Sequence, residues 1–284
     1  MNYHPPASAV RAKAFLRWAG GKSWLVPRIE ALFGSLSFAR YHEPFLGGAS
    51  FFFAVASGAD ALLSDKNEAL IEVYECLKAD PFRVIEYMLP LENTKECYYA
   101  TRDARPTRDY ERAAHFIYLN HTSFNGIYRV NLNGVYNVPY GYRTKPFLDE
   151  AALIAASRAL RQATLRSCDF DETLGQVGPG DLVFIDPPYT VSHNNNGFIK
   201  YNKHLFALED QHRLCKYIKS VRDAGANYIM TNAAHPIITE IFELGGRMVE
   251  VSRASLIGGR NASRGAVSEF LFTNLEIEKN DDPE

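Results

Sequence analysis

The stretch that most constrains this chain is Asp181-Leu-Val-Phe-Ile-Asp-Pro-Pro-Tyr189. Its apolar run, residues 182–185, is apolar on both faces, as in a buried strand of a parallel sheet. The strand must stop at Asp186, because Pro187 and Pro188 donate no N–H to a ladder. A carboxylate, a stiff proline carbonyl and the aromatic Tyr189 therefore collect at the carboxyl end of a strand. In open α/β sheets, ligands bind there. Asp186 and the Pro187 carbonyl are both acceptors, so together they suit an amino group offering two N–H donors. The Tyr189 ring suits a planar partner that stacks on it. An exocyclic amine on a nucleobase satisfies all three. A strand-ending turn with an incidental acid fits the same four residues, so the remainder of the chain has to decide.

Two glycine pairs precede other segments of the same kind. Gly20-Gly21, in Phe15-Leu-Arg-Trp-Ala-Gly-Gly-Lys22, marks a tight turn before a helix that Leu25, Ile29, Leu32 and Phe33 continue at helical spacing. A P-loop would need glycine five residues before Gly21, where Leu16 stands. A glycine turn ahead of a helix still offers N–H groups to an anion, and Lys22 adds a charge. Glu43-Pro-Phe-Leu-Gly-Gly-Ala-Ser50 follows a strand beginning at Tyr41 and opens an apolar helix. A second strand, 61–65, ends in Asp65, 18 residues beyond Gly47. That spacing approximates the acid that holds a ribose hydroxyl in dinucleotide-binding units, although the full glycine fingerprint is missing.

Residues 68–118 alternate helical stretches with polar breaks. Asn133-Gly134, between Tyr128-Arg-Val-Asn and Val135-Tyr-Asn-Val, is a hairpin signal. Its interleaved aromatics, amides and arginine suit a β-ribbon that reads base edges, and suit a plain surface hairpin as well. Beyond 148 the pattern returns: a helix over 151–161, a strand near 164–168, then Asp169-Phe170. The strand before Asp186 follows, then a polar loop over 192–196, a helix over 206–221 and a strand over 227–231. Late strands at 247–251 and 269–275 are joined by a polar loop over 258–264. About seven strands in α/β alternation result, interrupted once by a helical and hairpin insert.

Net charge is −2 over 284 residues, so the whole chain does not advertise nucleic acid. The distribution fits a basic face and ordinary solvated charges alike: Arg11, Lys13, Arg17, Lys22 and Arg28 crowd one end, and residues 127–145 hold Arg129, Arg143 and Lys145 and no acid. Arg253, Arg260 and Arg264 follow late, and an acidic tail over 276–284 offsets them in the sum. A basic face on a neutral protein has this signature. The four scattered cysteines form no paired motif and fit reduced thiols in a cytoplasmic protein. No apolar run approaches a membrane span, and the first residues lack a signal-peptide core. The histidines show no metal-site spacing, so no metal is expected.

Taken together, Phe15–Lys22, Glu43–Ser50, Ser64-Asp-Lys-Asn67, Asn125-Gly-Ile-Tyr-Arg-Val-Asn131 with Asn137-Val-Pro-Tyr-Gly141, and Asp186–Tyr189 resemble the Dam family. These are DNA adenine-N6 methyltransferases in which the recognition insert precedes the catalytic motif. The resemblance spans nearly the whole chain, with the motifs in family order. Arg17 stands where lysine is common, and Gly47-Gly48-Ala49 varies the usual glycine pattern.

The resemblance implies a class I methyltransferase fold: α/β, Rossmann-like, with a seven-stranded sheet and an inserted helical and hairpin recognition domain. Residues 1–70 and 147–284 would form the catalytic domain and 71–146 the insert. S-adenosylmethionine would be the cofactor. Trp18, Gly20, Gly21 and Lys22 would meet its methionine end, Glu43, Pro44, Phe45 and Gly47 would wrap it, and Asp65 would take its ribose. Asp169 and Phe170 would take its adenine, and Asp186 would reach the methionine amino group. Asp186, Pro187, Pro188 and Tyr189 would hold the target adenine, flipped out of the duplex. Double-stranded DNA would meet Arg17, Phe124, Asn125, Ile127, Arg129, Asn137 and Pro139, in GATC or a site containing GAT. A cytoplasmic monomer is expected. Methylation of cytosine N4 uses similar acceptor chemistry, and a non-catalytic DNA-binding protein could keep the fold. The long recognition block argues against the first and the intact motifs against the second.

Overall fold

A computed structural model describes residues 12–131, 134–189, 206–254 and 266–277. The polar loops expected at 192–196 and 258–264, and Asn133 of the hairpin turn, lie outside the described residues. The chain is mixed α/β, with a seven-stranded sheet in the order β3-β2-β1-β4-β5-β7-β6. Its strands are β1 (Tyr41–Glu43), β2 (Ala61–Asp65), β3 (Ala163–Ser167), β4 (Leu182–Ile185), β5 (Asn227–Ala233), β6 (Arg247–Ala254) and β7 (Ala266–Thr273). β1 pairs with β4, β4 with β5 and β2 with β3 in parallel, while β7 runs antiparallel to both β5 and β6. β4 is buried at every residue, which accounts for its unbroken apolar run.

The chain divides into two compact units. One holds Pro27–Phe45 and everything from Asp169 onward, hence β1 and β4–β7. Its core is built from Val183 and Ile185 of β4, Tyr228 and Met230 of β5, Phe272 of β7 and the Leu214–Ile218–Val221 face of a helix at Leu208–Asp223. A buried His42–Asp181 pair, 2.9 Å apart, sits near the start of β4, where Asp181 also accepts from the Gly178 N–H. A short helix at Pro236–Ile241 was not foreseen: His235 accepts from the Ile237 N–H and proline occupies its first turn.

The other unit holds Leu46–Cys168 with the segment up to Val26. The helical region resolves into α-helices at Glu68–Ala79, Pro81–Met88, Lys95–Asp103 and Asp109–Thr122. Asn67, Asp80 and Thr94 cap the first three by accepting from backbone N–H groups, so the polar break at Asn93-Thr94 is a helix start. Tyr98, Tyr118, Leu119 and Tyr140 make a core of their own. It is sealed where the Tyr98 hydroxyl donates to the Val138 carbonyl (2.8 Å) and Tyr140 to that of Asn93 (2.7 Å). The hairpin forms as isolated antiparallel bridges, Ser123 to Tyr140 and Val130 to Tyr136, rather than as two continuous strands. Asn131 N–H donates to Val135 O, and Gly134 N–H to Asn131 O, both at 2.9 Å. Gly134 adopts φ +72°, which a glycine supplies without strain.

Candidate functional site

In the Leu46–Cys168 unit the two glycine segments meet. Gly47 has φ +48°, and a Cβ there would lie 2.8 Å from Trp18 Cδ1 and Nε1. A Cβ on Gly48 would lie 2.8 Å from Trp18 Cβ. Glycine is therefore required at 47 by the turn and by the indole, and at 48 by the Trp18 Cβ. The Asp65 carboxylate braces this turn: Oδ2 accepts from Gly47 N–H and Oδ1 from Asn67 N–H, each at 2.9 Å. Burial pushes its pKa up, and the backbone donors of Asn67, Gly47 and Lys66 oppose that. Tyr74 adds a third brace, its hydroxyl donating to the Gly47 carbonyl at 2.9 Å. Lys22 is buried, and its ammonium turns back to the Gly20 carbonyl (2.9 Å), while its N–H donates to Ser50 Oγ (2.8 Å). The ammonium thus caps its own glycine turn, a role its position in the sequence did not announce.

The same unit carries the hairpin. Phe124, Asn125, Arg129, Asn137 and Pro139 are exposed and Ile127 is half-buried. Arg129 Nε donates to Asn137 Oδ1 at 2.8 Å, so the amide orients the guanidinium across the two arms. Trp18 stacks on Tyr128 (centroids 6.0 Å apart, 21° between planes) and Tyr128 on Phe116 (4.7 Å, 23°), joining the Trp18 segment to the hairpin base. A further joint is Asn120, which the sequence did not single out. Its amide accepts from Arg17 N–H and donates to Arg17 O, both at 2.8 Å, and also donates to Gly126 O at 3.1 Å. Arg17 Nη1 is buried with no partner among the described residues. Burial, reinforced by Arg143, lowers the Arg17 pKa.

Gly126 sits at φ +65°, and a Cβ there would meet Arg17 Cβ at 2.7 Å and Nη1 at 2.8 Å. Gly126→Ala is expected to destabilise the protein by ~1–3 kcal/mol through the left-handed backbone and the displaced arginine. Calorimetric melting of the two proteins checks it, and an unchanged Tm would show that Arg17 swings aside freely.

In the other unit, Glu43 ends a strand and Asp186 follows one. Glu43 closes β1; it is buried and accepts from the Tyr41 hydroxyl at 2.7 Å. Pro44 is buried and Phe45 packs its ring on Phe170 and Phe206. Asp169 begins a 3-10 helix, Phe170–Gln176, with a reciprocal capping box to Glu172. Arg213 pairs with Asp169 at 2.8 Å and lies 4.9 Å over the Phe170 ring. Phe170 is buried in the core, so its backbone rather than its ring is what a ligand could reach.

Asp186 follows β4 directly. Its Oδ1 accepts from the Thr231 hydroxyl at 2.7 Å, and the Tyr189 hydroxyl donates to Glu269 Oε2 at 2.7 Å. Pro187 is buried, while Asp186, Pro188 and Tyr189 are partly accessible. Burial first, then the charges of Asp186 and Glu269, push the Tyr189 pKa well above its usual value, so the phenol keeps its proton and acts as donor. Thr231 and Glu269 were not foreseen, since they lie 45 and 80 residues from the groups they hold. Among the described residues no group of His, Cys, Asp and Glu could hold a metal ion, and no helix is long and apolar enough to cross a membrane.

The arrangement is a strand-end acceptor set in one unit and a glycine turn with a basic, aromatic hairpin in the other. Known proteins are similar to this chain over most of its length. A type II methyltransferase, M1.LlaDCHI of Lactococcus lactis subsp. cremoris, is 32% identical over 277 residues, covering 93% of this chain and 96% of its own. The type II methyltransferase M.MjaIII of Methanocaldococcus jannaschii is 33% identical over 248 residues, 79% of this chain and 85% of its own. The DNA adenine methylase of Vibrio cholerae serotype O1 is 31% identical over 270 residues, 92% of this chain and 95% of its own. Residues 18–255, from the indole against the glycine turn to beyond the strand that follows the Asp186 network, match one family throughout, and the chain belongs to the D12 class of N6 adenine-specific DNA methyltransferases.

Proposed function

We propose that this enzyme transfers a methyl group from S-adenosylmethionine to N6 of an adenine flipped out of double-stranded DNA, within GATC. The observation that carries the reading is Asp186-Pro-Pro-Tyr189 at the carboxyl end of β4, with its carboxylate and phenol each held by a buried partner.

The residues present fit the cofactor. A glycine turn braced by Asp65 at the end of β2, with Trp18 over it, suits a nucleoside whose ribose the carboxylate accepts from. The family resemblance assigns Trp18, Gly20, Gly21, Lys22, Glu43, Pro44, Phe45, Gly47, Asp65, Asp169, Phe170 and Asp186 to the cofactor. Bound there, it would supply an electrophilic methyl group on a sulfonium. The catalytic role of this chain is to prepare the nucleophile. The N6 lone pair of adenine is delocalised into its ring. Asp186 and the Pro187 carbonyl accept the two amino hydrogens, draw the nitrogen toward sp³ geometry and free the lone pair, and the Asp186 carboxylate receives the proton the nitrogen loses. Tyr189 stacks on the base. Positioning and preorganised charge then account for most of the rate. We assign 71–146 to target recognition and 1–70 with 147–284 to catalysis.

Sequence choice rests on the hairpin. An arginine fork matches O6 and N7 of guanine, Ile127 and Pro139 suit the thymine methyl, and Phe124 can wedge into the space the adenine leaves. Arg17, whose Nη1 lacks a partner among the described residues, suits the other guanine. Asn125 and Asn137 complete the surface, Asn137 by aiming Arg129. Methylation kinetics on single-substituted GATC duplexes test the assignment. Arg129→Ala is expected to cost ~1–3 kcal/mol at one guanine and relax discrimination there alone. An equal slowing of every duplex would make Arg129 a phosphate contact and remove the physical support for GATC.

A further inference from the structure

Glu269 is an unusual residue for its place. It lies inside β7, opposite Ala233 of β5 and Val251 of β6, and is 1% exposed. An acid in that position costs several kcal/mol unless it is hydrogen-bonded. The Tyr189 hydroxyl, 2.7 Å from Oε2, supplies that bond. On β5, two residues before Ala233, the fully buried Thr231 donates to Asp186 Oδ1 at 2.7 Å. So Thr231 of β5 holds Asp186 and also bonds Tyr189, while Glu269 of β7 accepts from the Tyr189 hydroxyl. The loop needs these bonds: Pro187 and Pro188 offer no N–H with which the backbone could fix itself.

We propose that Glu269 is a positioning residue for methyl transfer, holding the Tyr189 hydroxyl so that the ring presents its face to the target adenine. The inference rests on the stacking role given to Tyr189 above. A bond at the far end of the phenol pins the swing of the ring about its Cα–Cβ bond, and a ring that has swung no longer lies against the base. The bond to a carboxylate is charge-assisted and stronger than a neutral one. Glu269 touches neither base nor cofactor in this reading, so its loss should be felt in turnover and in the response to DNA, and not in cofactor affinity.

The test is a double-mutant cycle on the full-length protein with a GATC duplex and S-adenosylmethionine. Glu269→Met, similar in volume but without an acceptor, should lower kcat by roughly 10- to 100-fold. Glu269→Gln keeps an oxygen at the same reach and should lose only about 3-fold. Cofactor affinity, measured by calorimetry, should stay within about 2-fold in both. In a Tyr189→Phe background, which keeps the ring and removes the hydroxyl, either Glu269 substitution should cost nothing further. Circular dichroism reports whether each variant folds, and if Glu269→Met does not, the cycle is run with Glu269→Gln, whose smaller loss must vanish in the same way. A loss that persists undiminished in the Tyr189→Phe background, or wild-type turnover from Glu269→Met, would overturn the proposal. A wild-type protein that leaves adenine unmethylated would overturn the function above instead, so the two failures are distinct.

Discussion

Asp186→Ala is expected to remove methyl transfer almost entirely, with a drop in kcat on the order of 10³-fold. The alanine leaves the target amine with one acceptor instead of two and nowhere to place its proton. The fold should survive, because Asp186 follows β4 rather than filling the core, and it is partly accessible. The buried Thr231 hydroxyl loses its acceptor, so a small loss of stability, of ~1 kcal/mol, should accompany the loss of turnover. Single-turnover methylation with saturating cofactor, alongside thermal melting, separates the two effects. Near-normal turnover by this variant would remove the catalytic assignment of residues 186–189.

Asp65→Ala should weaken S-adenosylmethionine binding by roughly 10- to 150-fold, the loss of ~1.5–3 kcal/mol from a hydrogen bond to a charged acceptor. The structure adds a second consequence. The same carboxylate accepts from the N–H groups of Gly47 and Asn67. Alanine leaves both without that acceptor at a turn where Gly47 already holds φ +48°. Thermal stability without cofactor should therefore fall too, and the turn that Trp18 covers should loosen. Asp65→Asn keeps one acceptor oxygen, so it should recover part of the stability and less of the affinity. Isothermal calorimetry and melting curves on the two variants check both; unchanged cofactor affinity in Asp65→Ala would confine Asp65 to bracing the turn.

Much of this was legible in the sequence because local chemistry enforced it. The 182–185 run could only be a buried strand, and Pro187-Pro188 fixed where it stopped. Asp65 stood at a strand end because an apolar segment led into it. The helical region announced its breaks at Asn93-Thr94 and Arg105-Pro106, and Thr94 is a cap, while the caps Asn67 and Asp80 went unread. Short elements held by capping rather than periodicity escaped: Pro236–Ile241 spans six residues, too few to show a helical repeat. The hairpin was legible from Asn133-Gly134, but its pairing as separate bridges was not, since register depends on what each arm packs against. Spacing placed Phe170 beside Asp169 and said nothing of its side chain, which belongs to the core. Lys22 looked like a free charge and is folded onto Gly20. The partners that tune the site, Thr231, Glu269 and Asn120, are 45, 80 and 103 residues from what they hold. Their side chains are ordinary until the fold brings the other end of the bond to them.

The central claim is adenine-N6 methylation within GATC, and mapping the product tests it most directly. Unmethylated plasmid is incubated with the purified protein and S-adenosylmethionine, and modified bases are then located at nucleotide resolution. The expected result is N6-methyladenine at the adenine of GATC and at no other base, absent when Asp186→Ala replaces the wild-type protein. N4-methylcytosine in the product, N6-methyladenine spread without regard to GATC, or plasmid left unmodified by the wild-type protein would contradict it.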